Sequence, residues 1–185
     1  MTGRMVTSQD KFLGGALEVR QPVNGYRAGT DPVFLAAAIP AKPGQSVLDL
    51  GCGVGVAALC LWHRTRASLT GVELQPEYAA LAAANSEAIG SDFDIVEADV
   101  VSLPPELRSR SFDHVMTNPP YVPSHVGTPA NDAGREVANR ETLPLGDWMD
   151  AAIRRLKPRG TLTAIVRTDR LAELLTAVSP RIGGI

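Results

Sequence analysis

A four-residue segment, Asn118-Pro119-Pro120-Tyr121, brings together groups that can hold a planar substrate. The Asn118 side chain offers an amide oxygen that accepts N–H donors, and the two prolines form a rigid turn with outward carbonyls. Tyr121 adds a flat aromatic face with a polar tip. The segment is therefore suited to grip a planar group that bears an NH2. A turn that merely ends a strand explains the asparagine and the prolines but leaves the aromatic residue without a role.

A glycine-rich turn follows the apolar run Val47 to Leu50, in which Asp49 is the only charged residue. Its sequence is Gly51-Cys52-Gly53-Val54-Gly55, and such a turn lets backbone come within contact distance of a ligand at the carboxyl edge of a sheet. A dinucleotide site needs glycine at the position of Val56, and a phosphate-binding loop needs a following Lys-Ser or Lys-Thr pair. Neither is present, so the pattern favours a ligand without a pyrophosphate and disfavours a nicotinamide-dependent dehydrogenase.

Two carboxylates follow the next two apolar runs. Glu73 ends the run after the glycine turn, where an acidic residue can accept both hydroxyls of a ribose. Asp99 ends the following run and is placed to accept from an adenine amino group. The plainer alternatives are a solvated strand end for Glu73 and a loop cap for Asp99.

The elements that carry these residues alternate between short apolar runs and helical patterns. Continuous apolar runs between helices are typical of a doubly wound, mostly parallel α/β sheet. Residues 1–30 are predicted to form an N-terminal arm or hairpin, and residues 31–185 the catalytic domain. Strands are predicted at Ser46–Leu50, Ser68–Val72, Phe93–Glu97, Phe112–Met116 and Thr161–Val166. Helices are predicted at Val33–Ile39, Val56–Arg64 and Pro76–Ile89. Two further helices are predicted, one that follows a cap at Asp147 and one that runs from a cap at Asp169 to Val178.

Length and composition favour a single domain. The 185 residues, 44% of them hydrophobic, suffice for one core and are too few for two ordinary domains. A net charge of −2 provides no general attraction to nucleic acid, so any such contact must be local. The chain lacks a long apolar run, which predicts a cytoplasmic protein without a membrane span. Cys52 and Cys60, the only cysteines, do not have the spacing of a zinc site, and no metal is expected.

Taken in order, the glycine turn, Glu73, Asp99 and Asn118-Pro119-Pro120-Tyr121 resemble the motifs of class I S-adenosylmethionine-dependent methyltransferases. The resemblance covers residues 30 to 178. It implies a Rossmann-like fold, S-adenosylmethionine as cofactor and S-adenosylhomocysteine as product. Asn-Pro-Pro-Tyr is typical of members that methylate an exocyclic or amide nitrogen. The cofactor-binding residues that the resemblance implies are Thr30, Asp49, Gly51, Cys52, Gly53, Gly55, Glu73, Leu74, Asp99, Val100 and Asn118.

The N-terminal segments Asp10 to Gly15 and Gly25 to Asp31 resemble bacterial tRNA methyltransferases that act on the 6-amino group of an adenine beside the anticodon of a valine tRNA. This resemblance implies an RNA partner, most specifically tRNA. It assigns catalysis to Asn118, Pro119 and Tyr121, and substrate binding to Pro120, Tyr121, Lys11 and Arg27. The alternatives are another planar nitrogen, in a protein glutamine, in ribosomal RNA or in DNA adenine, and a cofactor- or RNA-binding module without turnover.

Three further features have both a plain and a functional interpretation. Thr30 and Asp31 read as a helix N-cap, and in the resembling enzymes this segment also packs over the methionine end of the cofactor. Basic residues at Arg154 to Arg159 are either phosphate contacts or solvated surface. The sheet of this class ends in an antiparallel pair after the last helix, whereas only Arg181 to Ile185 remain here. We therefore expect the final hairpin to be missing, which would leave an exposed sheet edge.

Overall fold

The computed structural model describes residues 5–120, 122–123, 140–141 and 143–185. Tyr121 and most of the irregular segment Val122 to Gly146, which the sequence predicts to be either functional or mobile, lie outside the described residues. The strands are β1 (Thr7–Phe12), β2 (Leu17–Pro22), β3 (Ser46–Leu50), β4 (Ser68–Glu73), β5 (Phe93–Glu97), β6 (Phe112–Thr117), β7 (Val122–Pro123), β8 (Arg140–Glu141) and β9 (Leu156–Ala164). The helices are α1 (Asp31–Ala38), α2 (Val56–Thr65), α3 (Pro76–Ile89), α4 (Pro105–Arg108), α5 (Leu145–Ile153) and α6 (Leu171–Val178).

The central sheet has five parallel strands in the order β5-β4-β3-β6-β9. The chain builds outward from β3 to β5 and then returns to place β6 on the other side of β3. In open α/β sheets, ligands bind outside the carboxyl ends of the strands where the strand order reverses in this way. The prediction of a Rossmann-like, doubly wound parallel sheet is confirmed, and the reversal lies between β3 and β6.

Helices cover both faces of the sheet because its strands are apolar on both sides. Val47 and Met116 pack with α1, α2 and α3 on one face. Leu48, Leu50 and Val115 pack with α4 and α5 on the other. All five side chains are completely buried, as the continuous apolar runs of the sequence predicted.

Residues 7–22 form an antiparallel hairpin of β1 and β2, which agrees with the prediction of an arm or hairpin. Leu17 and Val19 are buried in the core that surrounds α1, α2 and α3. Asn85 of α3 accepts from the backbone N–H of Arg20 at 2.9 Å and donates to its carbonyl at 3.0 Å. The hairpin is thereby fixed on the outside of α3. The division of the chain at residue 30 stays a prediction.

The starts of four elements differ from the predicted ones. Helix α1 begins at Asp31, so Thr30 is its N-cap residue, and Thr30 makes no side-chain capping bond. Helix α5 begins at Leu145, directly after Pro144 and before the predicted cap. The sequence Pro158-Arg159-Gly160 predicts the end of the helix capped at Asp147, with a strand from Thr161, but strand β9 begins at Leu156 and continues through these three residues. Its pairing with β6 shifts register there, so the extra residues form an irregularity within the ladder.

The last predicted helix also begins later than expected. Asp169 lies in a short 3-10 turn, Thr168–Arg170, and Arg170 is the N-cap residue of α6. Beyond β9, the residues that the structure describes add no further strand to the sheet. The prediction of a missing C-terminal hairpin stays a prediction. In the described part of the chain, no helix is long and apolar enough to cross a membrane.

Candidate active site

A cavity of about 310 Å³ lies at the carboxyl ends of β3, β4, β5 and β6. The structure brings most of the predicted site residues to its wall, although they come from four separate strand ends. The predicted residues that line it are Asp49, Gly51, Cys52, Gly53, Glu73, Leu74, Asp99, Val100, Asn118, Pro119 and Pro120. The cavity is therefore the meeting point of the glycine turn, the two carboxylates and the Asn-Pro-Pro turn.

The glycine turn between β3 and α2 has the backbone that its sequence requires. Gly51, Gly53 and Gly55 all have positive φ, at 73°, 57° and 88°. The N–H groups of Gly51 and Cys52 donate to the carbonyl of Val72, at 2.8 and 3.0 Å. The turn is thus tied to the neighbouring strand β4 and presents its backbone to the cavity.

The Glu73 carboxylate is held by backbone amides. Its Oε2 accepts from the N–H of Gly53 at 2.8 Å, and its Oε1 accepts from the N–H of Gln75 at 2.9 Å. Burial raises the pKa of Glu73, while these hydrogen bonds oppose that rise. Each carboxylate oxygen can accept more than one donor, so both can also receive hydroxyl groups of a ligand. This geometry fits the predicted contact with a ribose.

Asp49 is the most unusual group of the cavity. It is buried, and its Oδ2 has no hydrogen-bond partner among the described residues. Burial and the nearby charge of Glu73 raise the pKa of Asp49 to about 8. A buried acceptor without a donor is costly, so this atom calls for a ligand that supplies an N–H or a positive charge. The α-amino group of S-adenosylmethionine is such a donor, and the residues present therefore fit this cofactor.

Trp148 of α5 is a wall residue that sequence reasoning did not assign to the site. Its Nε1 donates to Oγ1 of Thr117 at 2.8 Å, and that hydroxyl donates to the carbonyl of Leu50 at 2.8 Å. A Cβ added to Gly51 would lie 3.0 Å from Cζ2 of Trp148, so the indole rests on the glycine turn. In the sequence, Trp148 shares a helical spacing with Ala151 and Ala152, which indicates an apolar face but does not distinguish a core residue from a cavity wall.

Tyr26 is a second wall residue that was not assigned. Its backbone N–H donates to the hydroxyl of Tyr78 at 2.8 Å, which ties the segment after the hairpin to α3. Burial and the charge of Asp31 raise the pKa of the Tyr26 hydroxyl. The signal that could have found it is its place inside the motif Gly25 to Asp31.

Some predicted site residues lie away from this cavity. Gly55 packs beneath the turn, where an added Cβ would lie 2.8 Å from Cε1 of Phe93. Thr30, Lys11 and Arg27 line a shallow depression beside the hairpin instead. Tyr121 is outside the described residues. The roles of these residues stay predictions.

Four of the candidate RNA contacts already have carboxylate partners on the protein. Lys11 pairs with Glu18 at 3.4 Å, and Arg27 pairs with Asp10 at 2.5 Å. Near the end of α5, the ion pairs are Arg154 with Asp150 and Lys157 with Asp113. These cations would have to exchange an internal carboxylate for a phosphate group. Among the described residues, no cluster of side chains could hold a metal ion.

The cavity lies where the strand order reverses, and it combines a glycine turn with two buried carboxylates, one of which has an oxygen without a donor among the described residues. These features define the class of S-adenosylmethionine-dependent methyltransferases. Comparison with known protein families supports this class. The model of the methyltransferase small domain family matches residues 28–175. The chain belongs to this family.

Curated relatives carry a more specific name. The tRNA1(Val) (adenine(37)-N6)-methyltransferase of Porphyromonas gingivalis is 33% identical over 178 residues, which cover 89% of this chain and 68% of the relative. The protein of the same name from Bacteroides fragilis is 30% identical over 146 residues, covering 77% of this chain and 61% of the relative. The chain thus spans about two thirds of the length of these relatives.

Solved structures share the fold at lower identity. TrmN from Thermus thermophilus superposes with a TM-score of 0.60 at 24% identity, covering 80% of this chain and 40% of that one. The precorrin-6y C5,15-methyltransferase of Geobacter metallireducens superposes with a TM-score of 0.62 at 15% identity, covering 86% and 75%. At these identities the likeness supports the fold alone.

Proposed function

We propose that this protein methylates the 6-amino group of an adenine in tRNA, with S-adenosylmethionine as the methyl donor. The observation that carries the proposal is the Asn118-Pro119-Pro120 turn on the wall of the cavity that Asp49 and Glu73 line. A planar amine held by this turn would face the group bound by the two carboxylates. The relatives named for adenine-N6 methylation of tRNA favour adenine over a glutamine amide.

Asn118 and Pro119 supply the acceptors that the amine needs. The lone pair of an aromatic amine is delocalised into its ring, which makes it a weak nucleophile. If the Asn118 amide oxygen and the Pro119 carbonyl each accept one N–H, the nitrogen is drawn towards a tetrahedral geometry and its lone pair is turned towards the donor. Such positioning can supply about 7 to 11 kcal/mol of a barrier.

S-adenosylmethionine, when bound, supplies an electrophilic methyl group on a sulfonium sulfur. Transfer to an amine held by Asn118 and Pro119 would form the N–C bond as the S–C bond breaks, with the electrons of the S–C bond left on sulfur. The amine nitrogen then carries a positive charge and releases a proton to water, so the step needs no general base. Asp49 and Glu73 hold the donor during this step and do not take the proton.

The adenine must leave its stack to reach the cavity. Turning a base out costs a few kcal/mol, and least when the base is already in a single-stranded loop. Tyr121 follows the turn in the sequence and is the group that we expect to stack on the extruded base, an interaction worth about 1 to 3 kcal/mol. With a tRNA substrate, the protein would act in the cytoplasm.

Incubation with S-adenosylmethionine labelled in its methyl group would test the proposal. The acceptors offered separately would be bulk tRNA, ribosomal RNA, DNA and release factors, followed by nucleoside analysis. We expect label in N6-methyladenosine from tRNA alone. Label confined to protein would contradict the RNA substrate, and label in guanine would contradict the adenine.

A further inference from the structure

Arg170 is the only arginine or lysine in the described part of the chain whose residue is buried, with 7% of its surface exposed. It lies beyond β9, in the 3-10 turn that precedes α6. A guanidinium is withdrawn from water at a high cost unless it is paired and hydrogen-bonded, so a buried arginine calls for a structural explanation. Arg170 is not one of the residues that line the cavity.

Glu173 neutralises this arginine. Nε of Arg170 donates to Oε2 of Glu173 at 3.0 Å, and Nη2 donates to both carboxylate oxygens at 2.9 Å. The Glu173 side chain is half exposed, so its charge remains in contact with water. The contacts with Glu173 balance the charge of Arg170 and involve Nε and Nη2, but not Nη1.

Nη1 of Arg170 donates to the carbonyl oxygen of Pro120 at 3.3 Å. The fold creates this contact because β9 runs parallel to β6 and ends beside it: Ala164 pairs with Thr117, and the N–H of Ile165 donates to the carbonyl of Thr117. The chain that leaves β9 therefore passes the turn that leaves β6.

Because this carbonyl belongs to a turn of two prolines, a hydrogen bond to it has a large influence on the conformation of the turn. Neither Pro119 nor Pro120 has an N–H, so the turn cannot be fixed by donors of its own at these positions. The peptide planes that hold the Pro119 and Pro120 carbonyls are joined by φ and ψ of Pro120. The ring fixes φ, so ψ alone relates the two planes. A donor that anchors the Pro120 carbonyl therefore restricts the Pro119 carbonyl to the directions that rotation about ψ of Pro120 allows.

We propose that Arg170 is a positioning residue for methyl transfer, which holds the Pro120 carbonyl and thereby aims the Pro119 carbonyl at the acceptor amine. This inference rests on the proposed function of the Asn-Pro-Pro turn. Arg170 lies outside the lining of the cavity, so it acts on the reaction through the turn and not on the cofactor.

Kinetics of Arg170→Met and Arg170→Lys would test the role. Misplacement of a reacting group by about 1 Å can lower a rate 100-fold, so we expect Arg170→Met to reduce kcat by about 10- to 100-fold. The affinity for S-adenosylmethionine, measured by calorimetry, should stay within about twofold. Arg170→Lys retains a donor and should recover part of kcat. Arg167→Met is the matched control, because Arg167 is an exposed arginine at the start of the same turn and its side chain pairs with Asp169.

A crystal structure of Arg170→Met provides a readout that does not depend on activity. We expect the Pro119 and Pro120 carbonyls to turn from their wild-type directions. Unchanged carbonyls, an unchanged kcat, or a parallel loss of kcat, cofactor affinity and melting temperature would each overturn the inference. Failure of the wild-type protein to methylate any RNA would instead contradict the proposed function, and the carbonyl directions would still decide the role of Arg170.

Discussion

The two halves of the cavity are held in different ways. The donor half comprises Asp49, the glycine turn and Glu73, and its key hydrogen bond joins Gly53 to Glu73 across 20 positions of sequence. The acceptor half is the turn at residues 118–120. It is supported by Trp148, 31 positions after Thr117, and by Arg170, 50 positions after Pro120.

This difference indicates that the halves should respond differently to substitution. In the donor half, the groups that face the ligand also satisfy the backbone of the strand–turn–helix unit, so binding and folding are coupled. In the acceptor half, the groups that face the substrate are supported from outside the turn, so the rate can change while the fold and the cofactor site persist.

The largest effect should follow removal of the acceptor amide by Asn118→Ala. We expect kcat to fall by about 100-fold or more, because the amine loses an acceptor that positions its lone pair. The affinity for S-adenosylmethionine should change by less than about fivefold, since Asp49 and Glu73 hold most of the donor. Single-turnover methylation and calorimetry would measure the two effects. Asn24→Ala, at an exposed asparagine, is the control. Equal losses of kcat and cofactor affinity would contradict the separate roles of the donor half and the acceptor half.

In the donor half, Glu73→Gln should impair binding and stability together. The variant replaces one carboxylate oxygen with an NH2, which cannot accept from the N–H of Gly53 or Gln75. We expect the free energy of unfolding to fall by about 1 to 3 kcal/mol and the Kd for S-adenosylmethionine to rise about tenfold. Urea unfolding and calorimetry would measure these changes, with Glu97→Gln, an exposed carboxylate at the end of β5, as the control. A loss of binding at unchanged stability would argue against their coupling.

The contact between the halves can be isolated by comparing Gly51→Ala with Gly53→Ala. Both positions have positive φ, so each alanine should cost about 1 to 3 kcal/mol of stability. Only the Cβ at residue 51 would meet Trp148, because a Cβ at residue 53 would have no atom within 4 Å among the described residues other than its neighbours in the sequence. Gly51→Ala should therefore be the less stable variant in thermal unfolding. The same melting temperature for both variants would show that the Trp148 ring moves to accommodate the added methyl group.

The smallest effect concerns the pH dependence of the cofactor-free protein. Asp49 keeps its proton up to a pKa of about 8 when folded but loses it near 3.8 when unfolded, so stability falls as pH rises through this window. Between pH 6 and 7, the free energy of unfolding should fall by up to about 1.4 kcal/mol. Asp49→Asn should flatten this slope in urea unfolding, whereas Asp92→Asn, at an exposed residue, should not. Parallel slopes for the wild type and Asp49→Asn would contradict a raised pKa.

Much of the donor half was predictable because its signals are local. A continuous apolar run, a glycine turn that needs positive φ and a carboxylate at the next strand end are all set by neighbouring residues. The parallel sheet and the approach of Asp49, Gly53 and Glu73 follow from that pattern. The starts of α5 and β9 were predicted wrongly. For β9, pairing with β6 extends the strand back to Leu156, through Pro158 to Gly160, which by themselves predict only the end of a helix.

The sequence by itself determined the class of chemistry: which groups can hold a methyl donor, and which turn can present acceptors to a planar amine. Only the tertiary structure decided what supports that turn. Trp148 and Arg170 carry no motif, and their spacing from Asn118 has no period that a sequence pattern reveals. They reach the site because β6 and β9 run side by side, and such a contact between distant residues exists only once the sheet has formed.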